Sequence, residues 1–129
     1  MARKLPTVWV IPWGAHRGAE VQLPGQAEGA IRLDSANWRV WLEAPSTRSF
    51  AYPVYDAAAG YIRGFMTVRK ETRRRGGQYW VAYHRAARRV RKIYLGCAAE
   101  LTQQHLAATA DRFLEMERLA APGAVGTDS

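Results

Sequence analysis

Residues 61–96 read YIRGFMTVRKETRRRGGQYWVAYHRAARRVRKIYLG, a stretch that decides the fold because strand-forming runs alternate with turn signals in it. The runs 61–71, 78–85 and 89–95 are rich in β-branched and aromatic residues. Turn signals at 73–77, which include a Gly-Gly pair, and at 86–88 separate them. The sequence therefore predicts three consecutive antiparallel strands.

The same stretch carries the excess positive charge of the chain. It contains eleven Lys or Arg and one acid, Glu71, for a net charge of +10, whereas the other residues carry −2 and the whole chain +8. Six of the fourteen aromatic residues also lie here. Cations displace the counterions of a polyanion and rings can stack on bases, so we expect a folded surface for nucleic acid. A basic disordered arm would lack the aromatic residues.

On the N-terminal side, the pattern predicts short strands and one helix. The predicted strands are 8–11, 20–23 and 30–33, the last two around the turn signals Pro24-Gly25 and Glu28-Gly29. Asp34 or Ser35 can cap a helix over Ala36–Glu43, whose Trp38, Trp41 and Leu42 form one apolar stripe for the core. Residues 49–53 are predicted to pair with 61–71 as a hairpin across 54–60.

On the C-terminal side, Gly96 ends the last strand and Thr102 is expected to cap a helix that runs to about Leu119. Its predicted apolar side consists of Leu106, Ala110, Phe113 and Leu114. The expected fold is α+β: an antiparallel β-meander of three or more strands, with the C-terminal helix packed on one face and a small N-terminal strand and helix region. We expect one domain over 1–121, made of 1–55 and the basic sheet with its helix over 61–119, and a flexible tail over 122–129.

Strand alternation divides the basic sheet into two faces. If the C-terminal helix covers Met66, Val68, Trp80, Ala82, Ile93 and Leu95, the outer face carries Thr67, Arg69, Tyr79, Val81, Tyr83, Arg85, Val90, Lys92 and Tyr94. The inverted register stays open, because Tyr79, Val81 and Tyr83 could also form a core. We favour the first because it groups Arg69, Arg85 and Lys92 outside, although it places His84 and Arg91 on the helix side.

The candidate nucleic-acid-binding residues follow from this arrangement. Cations and tyrosine hydroxyls can bind phosphates or base edges, and the glycines after the arginine triplet let the backbone approach a phosphate closely. The predicted set is Arg69, Arg73, Arg74, Arg75, Tyr83, Arg85, Lys92 and Tyr94. Arg73, Arg74 and Arg75 are expected at a hairpin tip.

Other functional classes find little support in the sequence. His16, His84 and His105 lack metal-ligand spacing, only Cys97 could join them, and neither a phosphate-binding glycine fingerprint nor a nucleophile elbow occurs. We therefore expect no enzyme activity, no catalytic residue, no metal and no cofactor. No run approaches 18 apolar residues, and a single cysteine suits a reducing compartment, so we expect a cytoplasmic protein without a membrane partner.

Four strings in this region resemble a known bacterial module: Thr67-Val-Arg-Lys-Glu, Tyr79-Trp-Val-Ala-Tyr, Lys92-Ile-Tyr-Leu-Gly and Glu100-Leu-Thr. They are similar to the N-terminal module of large LuxR-type (MalT-like) transcriptional regulators, and this resemblance implies a regulatory setting. A looser likeness is to DNA-binding domains with a three-stranded sheet and a rear helix, of the plant ethylene-response-factor type and the recombinase arm-binding type. That likeness implies contacts to the major groove from Arg69, Tyr83, Arg85, Lys92 and Tyr94.

The sequence thus favours a non-enzymatic protein that binds duplex DNA through the outer face of its basic sheet, in a regulatory or mobile-element setting. One alternative is binding of single-stranded DNA or RNA, with Tyr79, Tyr83 and Tyr94 as stacking platforms. Another is an accessory subunit of a nucleoprotein complex, such as a transposon or defence complex. In that case the N-terminal half, with Trp9 and Trp13, would contact a protein partner.

Overall fold

The computed structural model describes residues 6–11, 18–22, 31–86 and 88–120. Its strands are β1 Thr7–Ile11, β2 Gly18–Gln22, β3 Ile31–Arg32, β4 Ser49–Asp56, β5 Tyr61–Thr72, β6 Gln78–Ala86 and β7 Arg89–Gly96. The helices are α1 Ala36–Glu43, a short 3-10 helix Ala98–Glu100, and α2 Gln103–Ala120.

The strands form one sheet in the order β3-β2-β1-β4-β5-β6-β7. All neighbouring strands are antiparallel except β1 and β4, which pair in parallel at Thr7 and Ala51. Residues 49–96 are therefore a four-stranded meander, and the N-terminal strands extend it on the far side of β4. The α+β prediction, with a meander and a C-terminal helix on one face, is confirmed.

Strand β4 runs three residues past the predicted end at Pro53. A proline removes one backbone donor, which a strand tolerates at an edge or beside a bulge. Both conditions hold here, because β1 pairs with β4 only at Ala51 in the described part of the chain and the β4–β5 register shifts between Val54 and Tyr55. Proline was therefore a poor stop signal for this strand.

Both helices lie on one side of the sheet and enclose the core. In α1, Trp38 is buried against Phe50 of β4, with 5.4 Å between the ring centroids, and its Nε1 donates to the carbonyl oxygen of Leu101 at 2.7 Å. Helix α2 packs on β4 and β6, where the Phe113 ring lies 5.3 Å from that of His84. The predicted apolar side of α2 is buried: Leu106, Ala110, Phe113 and Leu114.

The two helices are capped by residues that the sequence predicts, whereas Asp34, the other candidate cap of α1, has a different partner. The Ser35 hydroxyl accepts from the Trp38 amide at 3.2 Å and caps α1, and the Thr102 hydroxyl accepts from the His105 amide at 3.1 Å in the first turn of α2. Asp34 does not cap α1. Its carboxylate accepts from the Gln103 amide at 2.9 Å, so it ties the start of α1 to the start of α2.

The favoured register of the basic sheet is confirmed. All six side chains expected beneath α2 are buried: Met66, Val68, Trp80, Ala82, Ile93 and Leu95. His84 lies on the same side and is buried against Phe113, and Arg91, its partner in the ladder, is half-buried. Val81 is the exception on the outer face, since it is only 4% exposed there.

Some predictions fall outside the described residues. These are the flexible tail 122–129, the turns Pro24-Gly25 and Glu28-Gly29, and the positions of Trp13 and His16. Predicted strands 20–23 and 30–33 correspond to β2 and β3 with shifted ends. Neither helix in the described ranges has the length and apolar character needed to span a membrane.

Candidate nucleic-acid interface

The outer face of β5, β6 and β7, which we call the outer face, presents its side chains in rows fixed by the strand register. One row joins Arg69, Val81 and Tyr94, and the next joins Thr67, Tyr83 and Lys92. Arg85 pairs with Val90 in the row beyond. Adjacent strands are about 4.8 Å apart and successive rows about 6.8 Å apart. No described helix or strand covers these rows, because both helices lie on the other side.

Five of the predicted cations on or beside this face are exposed and carry no ion pair within the described ranges: Arg73, Arg74, Arg75, Arg85 and Lys92. Arg69 is exposed as well, and its guanidinium carbon lies 5.7 Å from the centre of the Tyr83 ring. A cation without an acidic partner keeps its full charge for an incoming polyanion. These six side chains are therefore the available cations on or beside the outer face.

The loop between β5 and β6 projects two of these arginines. The Arg73 amide donates to the Gly77 carbonyl and the Gly76 amide to the Arg73 carbonyl, both at 3.0 Å. Gly76 and Gly77 have φ of +83° and +77°, which only glycine adopts without strain, so the pair closes the loop as the sequence predicted. Arg74 and Arg75 stand at the exposed tip.

Arg73 does not extend from the tip with its two neighbours. Its guanidinium turns back over the sheet, where it donates to the Tyr94 hydroxyl at 2.6 Å. The guanidinium carbon lies 5.1 Å from the Tyr79 ring centre and 5.8 Å from that of Tyr94, and these two rings are 5.5 Å apart. Arg73 is therefore part of the outer face, held over two aromatic rings by cation–π attraction.

Glu71 is a side chain of the outer face that the set predicted from the sequence does not include. Tyr79 donates its hydroxyl to Glu71 Oε1 at 3.2 Å, and Tyr83 donates its hydroxyl to Oε2. The hydrogen bond from Tyr83, and after it that from Tyr79, lowers the pKa of the Glu71 carboxyl. Each of these bonds also raises the pKa of the tyrosine that donates it. The signal was present, because alternation places residue 71 on the face of Thr67 and Arg69.

These side chains surround an open depression of about 520 Å³. Its lining consists of Glu71, Arg73, Tyr79, Val81, Lys92 and Tyr94. The charges of Arg69 on β5 and Lys92 on β7 act on the carboxylate, and Tyr94, which also lines the depression, is 56% exposed. The depression combines positive charge with aromatic surface and one fixed negative charge.

An apolar cluster adjoins the cations at the β4–β5 end of the outer face. Tyr55 and Ile62 pair across the strands and are 46% and 40% exposed, and Phe65, on the same side, is 41% exposed. The sequence reasoning placed a protein interface in the N-terminal half, at Trp9 and Trp13. Trp9 lies in β1, and Trp13 is outside the described residues.

The chain matches no protein-family model, no curated protein and no solved structure at a significant level of similarity. Within the described ranges, no group of three or more His, Cys, Asp or Glu side chains is arranged to hold a metal ion. The geometry and the charge of the outer face are therefore the features that bear on function.

Proposed function

We propose that this protein is a non-enzymatic nucleic-acid-binding protein that binds duplex DNA through the outer face. The observation that carries the proposal is the exposure of Arg69, Arg85 and Lys92 on one uncovered side of three adjacent strands. The cations of this surface can displace counterions from phosphates, and its polar side chains can reach base edges.

The dimensions of the sheet suit the major groove. Three strands span about 10 Å from axis to axis, and the major groove of B-DNA is about 12 Å wide. Arg69 and Lys92 lie on the two flanking strands, so they can reach phosphates on opposite walls while the middle strand faces the base edges. Arg85 lies about 14 Å along the strand direction from the Arg69 row, two row spacings away.

The direct test is fluorescence anisotropy with a labelled 20-base-pair duplex at several salt concentrations. With about five or six phosphates neutralised, the logarithm of the binding constant should fall with the logarithm of salt concentration at a slope near −5. An affinity that barely changes between low and moderate salt would refute the proposal, because a basic face cannot bind a polyanion without releasing counterions.

The double variant Arg85→Ala/Lys92→Ala tests whether the outer face is the binding surface. Removal of two phosphate contacts should weaken duplex binding and reduce the magnitude of the salt slope by about 2. The matched control is Arg39→Ala/Arg112→Ala, which removes two exposed arginines from α1 and α2 on the other side of the sheet. Equal losses in the two variants would show that net charge alone matters and would contradict a defined face.

Binding of single-stranded DNA or RNA is the second candidate, and the exposed ring of Tyr94 favours it. Tyr79 and Tyr83 contribute less ring surface, because both are half-buried and their hydroxyls are bonded to Glu71. Duplex DNA is therefore preferred. Competition between a labelled duplex and unlabelled single-stranded DNA or structured RNA of the same length separates the two candidates.

The biological setting belongs to the same proposal. The resemblance to bacterial regulators and to recombinase arm-binding domains supports a regulatory or mobile-element role in the cytoplasm. The exposed cluster of Tyr55, Ile62 and Phe65 is compatible with an accessory subunit of a nucleoprotein complex that contacts a protein partner beside the nucleic acid. In that case, substitution of Ile62 by Ser should abolish assembly and leave duplex affinity unchanged.

A further inference from the structure

The carboxylate of Glu71 reaches from β5 to the tyrosines of the middle strand β6, and so groups hydrogen-bond acceptors at the centre of the outer face, beside the Arg73 guanidinium. Glu71 accepts the hydroxyl hydrogens of Tyr79 and Tyr83, and a phenol has only one such hydrogen to donate. Both tyrosine oxygens therefore turn only lone pairs toward an incoming ligand. The carboxylate has about four acceptor positions, of which the tyrosines use two.

The carboxylate is not neutralised by the cations around it. None of the three ion pairs within the described ranges includes Glu71, although the charges of Arg69 and Lys92 act on it. The two tyrosine hydroxyls hold it in place instead. The outer face thus keeps a negative charge in its middle and free positive charges around it.

A phosphate and a base edge respond to this pattern in opposite ways. A phosphate placed against Glu71 would meet a carboxylate and two acceptor oxygens, which repel it, whereas the neighbouring Arg73 guanidinium would attract it. In the major groove, by contrast, cytosine N4 and adenine N6 present amino donors that a carboxylate can accept. The pattern fits a duplex whose phosphates lie at the rim and whose base edges face the middle.

We propose that Glu71 is a specificity-determining residue of the outer face. Its carboxylate keeps phosphates away from the centre and accepts a hydrogen bond from the amino group of a cytosine or adenine in the major groove. This inference rests on the proposed function and names the part of the ligand that the centre recognises. It explains why one acid lies among eleven basic residues.

The decisive variant is Glu71→Gln, which keeps the shape of the side chain and removes its charge. Affinity for a duplex of arbitrary sequence should rise about fivefold, the scale of one exposed charge–charge interaction. Selection from a random duplex library should show a preference for cytosine or adenine at one position with the natural protein. In the variant, cytosine should no longer be preferred, because a glutamine amide pairs with adenine N6 and N7 instead. The control is Glu115→Gln, which makes the same charge change at an exposed site on α2.

A second variant separates charge from packing. Tyr79→Phe/Tyr83→Phe removes both hydroxyls and leaves the carboxylate charged, so affinity for arbitrary duplex should not rise. The inference is overturned if the natural protein binds duplex DNA while Glu71→Gln leaves affinity and preference unchanged, or if the phenylalanine variant gains affinity as Glu71→Gln does. If the natural protein binds no nucleic acid, the proposed function and the inference fail together. If it binds duplex DNA and Glu71→Gln changes nothing, only the inference fails.

Discussion

Tyr52 is a single side chain that couples the stability of the fold to alkaline pH. It is 2% exposed where β4 meets α2, and its hydroxyl donates to Gln103 Oε1 at 3.4 Å. Burial raises its pKa from 10.0 to about 12, because the phenolate would be poorly solvated in the core. The neutral form is therefore favoured in the folded protein.

We predict from this that Tyr52→Phe flattens the alkaline limb of the stability curve. A raised folded-state pKa gives stability that is fully present below pH 10 and is lost as pH rises towards about 12, because the unfolded chain ionises first. Between pH 8 and 11 the natural protein should lose about 1 kcal/mol more than Tyr52→Phe. Urea denaturation at the two pH values measures this, and equal losses would show that Tyr52 is solvated.

The eleven basic residues of the stretch 61–96 do not all lie free on the outer face. Lys70 lies on the helix side, where its Nζ donates to the Ala44 carbonyl at 3.0 Å and lies 5.4 Å from the centre of the Trp80 ring. Burial lowers the pKa of Lys70. Arg63 pairs with Asp56 at 3.3 Å beside the bulge in the β4–β5 hairpin. A count of charges in a sequence therefore overstates the cations that a ligand can reach.

At the level of elements, α1 and the start of α2 are joined through one side chain. The indole of Trp38 donates to the carbonyl of Leu101 at 2.7 Å. Residue Leu101 is itself only 1% exposed. Trp41 lies one turn further along α1 and is half-buried, with its ring centroid 5.5 Å from that of Trp38. The two tryptophans therefore differ both in hydrogen bonding and in burial.

We predict that Trp38→Phe lowers the free energy of unfolding by about 2–4 kcal/mol, because it leaves a buried carbonyl unsatisfied and a cavity behind. Trp41→Phe should lower it by about 1 kcal/mol or less, since no hydrogen bond of its indole exists in the described part of the chain. Chemical denaturation of both variants makes the comparison. Equal effects would mean that the hydrogen bond to Leu101 contributes nothing beyond packing.

The strands and the register could be predicted from the sequence, because a period of two and an apolar helix-facing side fix both. Met66 and Trp80 could only face the helices if Arg69 and Lys92 faced outward. The sequence does not indicate that Arg73 folds back onto Tyr94, since this contact joins the β5–β6 loop to β7, 21 residues further along the chain. A charge count does not reveal Glu71, because only strand alternation places this acid on the same face as Thr67 and Arg69.

The charge of the chain is unevenly distributed along its sequence, and the exposed cations of the outer face should orient the protein on a polyanion. The stretch 61–96 carries +10 and the remainder −2, and acids such as Asp111 and Glu115 are exposed on α2, behind the sheet. A molecule with such a charge distribution is steered before contact, so that the basic side arrives first. The exposed arginine tip of the β5–β6 loop, Arg74 and Arg75, lies at one end of this side.

We predict that Arg74→Ala/Arg75→Ala weakens duplex binding equally for every sequence. These side chains stand at the tip of a loop and reach phosphates rather than base edges, so the magnitude of the salt slope should fall by about 2 and sequence preference should stay as it is. Anisotropy with two duplexes, one selected and one scrambled, measures both quantities. A loss confined to the selected duplex would place the loop in the groove, and the outer face would then not be the part that reads the bases.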